Sequence, residues 1–464
     1  MRPGAWLWPW LVLAGAAPAL ADVVPKAAID RLVTAEMARQ RIPGLALAVL
    51  RHGQPVYVRG YGVASLEWPR EVRPDTRFQI GSIGKQFTAV AVMMLVRDGR
   101  LELDAPLARY LPEVPAAWSA VTLRRMLAHQ SGIAQLDGEG RHLLDLRHEY
   151  SDEEYLRLAI SQPLEFEPGT DAAYSDTAYV LLGVVINRVT GRFYGDLLAE
   201  RVFAPLAMER TRVISDEDIV PGRASGYELD EGGALRNQSF VSAALNRTAD
   251  GSLYSTVLDL ARWDAALYGE RVLPRDVLAR MWQVDALAGG EAPLYHYGYG
   301  WEINHAGAET VIEYDGNWQG FQAAMARYPG RELTVIVLTN RALCRVQSIA
   351  HAVAGRVDPA LRQEGPAPDS RPALTAGVRA LLEAARGGDE AARPDGLTRL
   401  RWHALGRDLR SVGALKHLQF VGETPLPAGL ERRYRAELAD MVEVYRLRHA
   451  PDGRVEGLEL DREY

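Results

Sequence analysis

The amino-acid sequence predicts an α+β protein in which one antiparallel sheet is flanked by a helical region. Two β-type runs around a turn at His52-Gly53 predict a hairpin over Leu45–Val58. Three more β-type runs lie within Val311–Asn340, and the residues between the two groups show mainly helical patterns. We therefore expect one sheet to contain the first and the last strands of this region.

The predicted helices begin at Ser82–Arg97, which is apolar on nearly every face and should be buried, with Asp98-Gly99 as its end. Helical patterns follow at Leu123–His129, Glu153–Ile160, Ala178–Val189 and Leu258–Leu267. The last three strands read TVIEYDG, GFQAAMARYP and ELTVIVLTN, with turns predicted at Gly316–Gly320 and Pro329-Gly330.

The length of 464 residues predicts more than one domain. Residues 22–356 form the predicted main domain, and residues 357–372, rich in proline and charge, form a predicted linker. Residues 373–464 should be a small α+β domain whose helix and four strands are expected at Leu374–Ala385, Leu418–Val421, Arg432–Leu438, Val442–Arg448 and Val455–Leu460. Packing, a substrate lid and self-association all remain open as its role, and the oligomeric state stays unknown.

The first 21 residues have the layout of a cleavable signal peptide: one positive charge, an apolar stretch, and Ala19-Leu20-Ala21 as a small-x-small cleavage site. We expect cleavage after Ala21 and a periplasmic or secreted protein. An uncleaved anchor is the alternative, although the apolar stretch is short for a membrane span. No later segment resembles a span.

The composition excludes several classes of partner and cofactor. The net charge of −7 comes without a clustered basic face, so nucleic-acid binding is not expected. The single cysteine, Cys344, excludes an internal disulfide framework and a cysteine-based zinc site. Four polar residues close in sequence lack metal-ligand spacing and read better as a solvated loop: Asp137, Glu139, His142 and His148. We expect no cofactor and no metal, and a small molecule or a peptide as substrate.

The stretch FQIGSIGKQF places Ser82 and Lys85 one helical turn apart in apolar surroundings. One interpretation is a helix cap beside a lysine that extends to the surface. The other is a nucleophile with its base, because an apolar environment lowers the pKa of a lysine. This stretch alone does not choose between the two.

Further stretches favour the nucleophile. They are Tyr174-Ser175-Asp176 after a Pro-Gly turn, EYDGNWQGF at a strand end, LAHQSG, and GSLYSTVLDLARW. Together, over roughly Ile29–Ala354, the chain resembles the serine β-lactamase and penicillin-binding-protein superfamily in its class C-like branch. That branch also holds D-aminopeptidases, D-alanyl-D-alanine carboxypeptidases and family VIII carboxylesterases. The family motif S-x-x-K falls on Ser82–Lys85, Y-x-N on Tyr174–Asp176, and the third motif on Tyr314-Asp315-Gly316.

The resemblance implies a role for each matched residue. Ser82 would attack a carbonyl and form an acyl-enzyme, while Lys85 and Tyr174 share the proton transfer. The backbone N–H groups of Ser82 and Asn317 would form the oxyanion hole. Gly316, Asp176 and Tyr314 would contact the substrate. A Ser-His-Asp triad on a G-x-S-x-G turn is not expected, because Ile80 occupies the first glycine position.

Two departures from the family pattern bear on the substrate. Asp176 stands where the family usually has Asn, and Tyr314 stands where it has Lys or His. The loss of a cation and the gain of an anion disfavour acyl donors that carry a carboxylate. Asp176 could face an amine of the substrate, or it could pair with Lys85; the sequence leaves both open.

The sequence therefore predicts a serine hydrolase acting on esters, amides or peptides, D-amino-acid derivatives among them. β-Lactamase or D-Ala-D-Ala carboxypeptidase activity is the alternative, and a non-catalytic peptidoglycan- or peptide-binding descendant is the alternative from another class. His129 is expected to be structural. The aromatic stretch Leu294–Ile303 fits sheet packing and a pocket lining equally well.

Overall fold

The computed structural model describes residues 24–138, 141–306, 309–362, 365–438 and 442–463. The predicted signal peptide and Glu139 lie outside these ranges. Within them, no helix combines the length and the apolar character needed to cross a bilayer.

A seven-stranded antiparallel sheet is the centre of the larger part of the chain. The strands up to residue 340 are β1 Gly44–Arg51, β2 Gln54–Ser65, β3 Arg70–Glu71, β4 Phe78–Gln79, β5 Asp137–Gly138, β6 Arg141–His142, β7 Arg212–Val213, β8 Tyr227–Leu229, β9 Leu235–Asn237, β10 Leu253–Ser255, β11 Glu302–Ala306, β12 Glu309–Trp318, β13 Phe321–Tyr328 and β14 Leu333–Thr339. The large sheet has the order β11-β12-β13-β14-β1-β2-β3. Leu47 of β1 lies opposite Val337 of β14, which confirms that one sheet joins the first and last strands.

Helices cover both faces of this sheet. The helices of the larger part are α1 Lys26–Gln40, α2 Gly84–Arg97, α3 Leu123–Leu127, α4 Asp152–Ile160, α5 Asp176–Thr190, α6 Tyr194–Leu198, α7 Val257–Leu267, α8 Arg275–Met281 and α9 Val346–Val357. Helices α1 and α9 share one apolar cluster with the sheet, and α2, α5 and α7 share the other. Every residue of α2 from Gly84 to Leu95 is buried, as its all-round apolar pattern predicts.

One predicted turn is shorter than expected. The sequence places a turn at Gly316–Gly320, but β12 continues to Trp318, and only Gln319 and Gly320 connect it to β13. Gly316 lies opposite Ala323, and Asn317 lies opposite Gln322. Glycine and asparagine favour turns locally, but here the pairing with β13 keeps this segment in the sheet.

The C-terminal part has its own helices and sheet: α10 Pro372–Gly387, α11 Arg399–Ser411, β15 His417–Leu426, β16 Gly429–Glu437, β17 Val442–His449 and β18 Val455–Glu463. The four strands form an antiparallel sheet in chain order. Its apolar cluster includes Trp402 of α11, a helix that the sequence reading missed, and Leu294 from the larger part. Arg407 of α11 also pairs with Asp171 at 2.7 Å, so this part contacts the loop that leads to Tyr174.

Candidate active site

Ser82 lies in a 3-10 turn, Gly81–Ile83, that leads directly into α2. Gly81 has φ +50°, which glycine adopts without steric penalty. The N-cap residue of α2 is Ile83, so the capping interpretation of Ser82 is wrong. The Ser82 hydroxyl instead contacts Tyr174 Oη at 2.6 Å and Lys85 Nζ at 3.0 Å.

Lys85 does not reach the surface, because its side chain is fully buried. Its ammonium group lies within hydrogen-bonding distance of four oxygens. Besides Ser82 Oγ, these are Tyr174 Oη at 2.6 Å, Asp176 Oδ1 at 2.5 Å and the main-chain oxygen of Asp250 at 2.7 Å. The structure therefore brings together Ser82, Lys85 and Tyr174, the three residues for which the family resemblance implies catalytic roles.

Tyr174 is held by the residues that precede α5. Ser175 caps this helix by accepting a hydrogen bond from Ala178 N. The backbone N–H of Ser175 donates to His129 Nδ1 at 3.1 Å, and the His129 ring stacks on Tyr174 with centroids 4.9 Å apart. Tyr297 makes an edge contact with His129, with centroids 4.6 Å apart. His129 thus has the structural contacts that the sequence predicts, and Tyr297 of the aromatic stretch contributes packing in this second layer.

Asp176 uses both carboxylate oxygens within the protein. Oδ1 accepts from Lys85 Nζ and from Tyr174 Oη at 2.7 Å, while Oδ2 accepts from Gln135 Nε2 at 2.8 Å. Burial alone would raise the pKa of Asp176, but the charge of Lys85 and these hydrogen bonds outweigh it and hold the pKa below its usual value. Burial and the neighbouring Asp176 raise the pKa of Tyr174 well above its ordinary value.

A second carboxyl group, that of Asp250, lies near Asp176 and Lys85. Burial and the charge of Asp176 raise the pKa of Asp250 to about 6, although Lys85 opposes the shift. Among the described residues, its buried Oδ1 atom has no hydrogen-bond partner. The sequence does not predict Asp250 as a site residue, because nothing in the local pattern ADGSLYST indicates that this side chain lies near Lys85.

The end of β12 lies against the turn that carries Ser82. A Cβ atom added to Gly316 would come within 2.0 Å of Ile80 O and 2.7 Å of Ser82 N. A Cβ atom added to Gly81 would lie 2.7 Å from Asn317 N. The backbones of these segments approach so closely only because both residues lack a side chain. The two N–H groups predicted to form an oxyanion hole, those of Ser82 and Asn317, therefore lie in neighbouring segments.

Tyr314, the residue at the family's Lys or His position, points from β12 toward His129. Its side chain is almost fully buried, and its hydroxyl lies 3.4 Å from His129 Nε2. It also contributes to the wall of the cleft beside Ser82. The site here therefore has a neutral phenol where the family pattern has a cationic or titratable side chain.

The cleft above Ser82 has a volume of about 750 Å³ and an acidic wall. Its charged residues are six acids and two bases: Asp137, Asp176, Glu228, Asp250, Glu302, Asp315, Arg236 and Arg341. Arg236 pairs with Glu228 at 3.2 Å. In the described ranges, Arg341 Nε has no hydrogen-bond partner. The sequence could not place either arginine at the site.

Two of the polar residues expected in a solvated loop have different surroundings in the structure. Asp137 lines the cleft, whereas the His148 ring packs on Tyr150 at 4.5 Å. No group of three or more acidic, histidine or cysteine side chains within the described ranges has the arrangement of a metal site. Cys344 is buried, and burial raises its pKa to about 11.

Comparisons with known proteins agree with this fold. The chain is 27% identical over 302 residues to penicillin-binding protein 4* of Bacillus subtilis (strain 168), covering 62% of this chain and 66% of that protein. It is 35% identical over 206 residues to esterase EstB of Burkholderia gladioli, covering 41% of this chain and 52% of that protein. The chain thus spans between half and two thirds of these relatives.

Among solved structures, the octameric penicillin-binding protein homologue from Pyrococcus abyssi superposes with a TM-score of 0.63 at 22% identity. The match covers 95% of this chain and 98% of that one, so the likeness in fold includes the C-terminal part. The Beta-lactamase family model matches residues 29–353, which is well over half of the chain. On this match, and with the motif residues gathered around Ser82, the chain belongs to the Beta-lactamase family.

Proposed function

We propose that the protein is an exported serine hydrolase that forms an acyl-enzyme on Ser82. The contact of the Ser82 hydroxyl with both Tyr174 Oη and Lys85 Nζ carries this proposal. A serine becomes a nucleophile when a neighbouring group accepts its proton as the bond to the carbonyl forms. A binding protein would gain nothing from a fully buried lysine that contacts a serine and a phenol.

The proposed reaction has two stages. Ser82 Oγ attacks the carbonyl carbon of an ester or amide, and the N–H groups of Ser82 and Asn317 hold the oxyanion. The position of Ser82 at the start of α2 adds the positive end of the helix dipole. Tyr174 transfers the proton to the leaving group, assisted by the neighbouring ammonium of Lys85. Water then attacks the acyl-enzyme and releases the acid.

The charges of the cleft support neutral or amine-bearing acyl donors over anionic ones. Six carboxyl groups and two guanidinium groups line it, and Tyr314 brings no positive charge. Asp176 already binds Lys85, Tyr174 and Gln135, which favours the pairing interpretation over direct contact with a substrate amine. Simple esters, and esters or amides of amino acids, are therefore the proposed substrates.

One observation favours the second candidate, β-lactamase or D-Ala-D-Ala carboxypeptidase activity. Arg341 lines the cleft. A guanidinium group at the wall of a cleft suits a substrate carboxylate. It could replace the cation that Tyr314 does not supply.

The test compares the purified chain with Ser82→Ala on three chromogenic substrates: p-nitrophenyl butyrate, D-alanine p-nitroanilide and a cephalosporin. Turnover of the ester or anilide that Ser82→Ala abolishes supports the proposal. Faster turnover of the cephalosporin would favour the second candidate. If none of the three is turned over and a fluorophosphonate leaves Ser82 unlabelled, the non-catalytic binding protein replaces both.

Export is part of the proposal and is tested separately. Expression of the whole chain in a Gram-negative host, followed by N-terminal sequencing of the periplasmic fraction, should give a mature protein that begins at Asp22. An intact N-terminus in the membrane fraction would instead indicate the uncleaved anchor.

A further inference from the structure

Three oxygens form a chain that leads away from the nucleophile. Tyr174 Oη lies 2.6 Å from Ser82 Oγ and 2.7 Å from Asp176 Oδ1. When the phenol donates to the carboxylate, its lone pairs are free to accept from the serine. Both hydrogen bonds then point from Ser82 toward Asp176.

Lys85 cannot accept the serine proton in its charged form. An ammonium group has three N–H donors and no acceptor. Four oxygens already surround this one within 3.0 Å. A neutral Lys85 would leave the carboxylate of Asp176 without its cation, which is costly for a group in contact with a fully buried side chain.

The surroundings of Tyr174 also disfavour its deprotonation to a phenolate. A phenolate would place a second anion 2.7 Å from Asp176, with Asp250 nearby and one lysine to balance three negative groups. Like charges at this distance disfavour the ionised form. Burial and Asp176 accordingly raise the pKa of Tyr174.

We propose that Asp176 is the terminal proton acceptor for Ser82 and that Tyr174 relays the proton; this rests on the proposed hydrolase function. As the Ser82 Oγ–carbon bond forms, the carbonyl π electrons move to the oxyanion. The Ser82 proton passes to Tyr174 Oη, and the Tyr174 proton passes to Asp176 Oδ1. The phenol stays neutral throughout, and Lys85 remains an ammonium.

The same path runs backward when the tetrahedral intermediate collapses. Asp176 returns its proton to Tyr174, which protonates the leaving oxygen or nitrogen as its bond to carbon breaks. In deacylation a water molecule donates through Tyr174 to Asp176, and the proton finally returns to Ser82. The asparagine that usually occupies this position in the family cannot accept the proton, so this departure from the family pattern has a function of its own.

Several groups face Asp176 and contribute to its titration. Lys85 comes from α2, Tyr174 from the preceding loop, and Gln135 from the loop after α3. Asp250 lies before β10, and Asp176 also acts electrostatically on Tyr155 of α4. Asp250 is therefore the group most easily confused with Asp176 in a pH profile.

The experiment measures acylation by p-nitrophenyl butyrate in single turnover, for the wild type, Asp176→Asn and Asp250→Asn. In Asp176→Asn the rate should fall by about 10²-fold, a typical loss for a missing proton acceptor. The acid limb of its pH profile should move to higher pH, because another group must now accept the proton. Asp250→Asn should keep the solvent-isotope signature of two protons that move in the acylation step.

That signature comes from rates in H₂O–D₂O mixtures. If two protons move in the transition state, the acylation rate of the wild type plotted against the fraction of D₂O gives a curve. Asp176→Asn should give a straight line. A straight plot for the wild type overturns the relay without any variant. An unchanged rate and acid limb in Asp176→Asn, or loss of curvature only in Asp250→Asn, also overturns it.

Failure of the relay is distinguishable from failure of the hydrolase function. If fluorophosphonate labels Ser82 in the wild type and in Asp176→Asn while the tests above fail, only the relay is wrong. If the wild type shows no Ser82-dependent turnover or labelling, the hydrolase function fails and the relay falls with it.

Discussion

The ammonium of Lys85, which is fully buried, lies 2.5 Å from Oδ1 of Asp176, whose side chain keeps 30% of its surface accessible. This ion pair joins α2 to the first residue of α5. It therefore links the element that carries Ser82 to the segment that carries Tyr174. The contribution of this ion pair to stability can be measured separately from its contribution to activity.

Lys85→Met should lower the free energy of unfolding by about 3 kcal/mol, because it leaves the Asp176 carboxylate near a buried apolar side chain without a cation. It should also abolish turnover. The double variant Lys85→Met/Asp176→Asn should recover most of the stability and none of the activity. Urea unfolding and ester hydrolysis measure the two effects, and a double variant no more stable than Lys85→Met would show that the pair does not couple the helices.

Gly316→Ala should reduce kcat by roughly 10²–10³-fold, the loss expected when one oxyanion donor is displaced. The added methyl group would meet backbone atoms of Ile80 and Ser82, which cannot move aside without shifting Asn317. Hydrolysis of p-nitrophenyl butyrate, with circular dichroism to verify folding, measures the loss.

Gly377→Ala is the matched control, because nothing lies within 4 Å of the position of its added Cβ in α10. This change should leave activity intact and stabilise the protein by up to about 1 kcal/mol. Full activity in Gly316→Ala would contradict the assignment of the Asn317 N–H to the oxyanion hole.

Asp250→Asn should raise the thermal stability at pH 7.5 and change it little at pH 3. The pKa of Asp250 in the folded protein, about 6, is higher than in the unfolded chain. Its carboxylate therefore destabilises the fold increasingly as the pH rises from 3.8 to about 6, and fully above that. Below pH 3.8 the group is neutral in both states and the penalty disappears. We expect a gain on the order of 2 kcal/mol at the higher pH. Equal effects at both pH values would show that the ionised form of Asp250 does not destabilise the folded protein.

Arg341→Ala should raise the KM for a carboxylate-bearing substrate such as a cephalosporin by roughly tenfold, since a hydrogen bond to a charged group contributes about 1.5–3 kcal/mol. The KM for p-nitrophenyl butyrate, which has no carboxylate, serves as the internal control and should not change. A parallel rise for both substrates would indicate a change in the shape of the cleft, and no rise for either would remove Arg341 from the substrate site.

The elements that local patterns predict well are those whose burial is nearly uniform. The helix that follows Ser82 and the hairpin around His52-Gly53 were confirmed because apolar runs and a glycine turn leave few alternatives. Helix α11 was missed: its arginine-rich surface obscures the apolar spacing of Trp402, Leu405 and Leu409, all buried in the structure.

The candidate site depended on different kinds of information. The spacing of Ser82 and Lys85 can be read from one helical turn, but Tyr174 lies 92 residues away from Ser82 and came only from the family resemblance. Asp250 and Arg341 could not be predicted, because they reach the cleft from loops that only the tertiary fold places there. The choice between two roles for Asp176 likewise required the positions of its three hydrogen-bond partners.

The intact mass of the protein, measured after acid quenching during turnover of p-nitrophenyl butyrate, tests the central claim most directly. We predict one butyryl adduct, located by peptide mapping on the fragment that contains Ser82 and missing from Ser82→Ala. An adduct on another residue, or ester turnover by Ser82→Ala at the wild-type rate, would contradict the acyl-enzyme account.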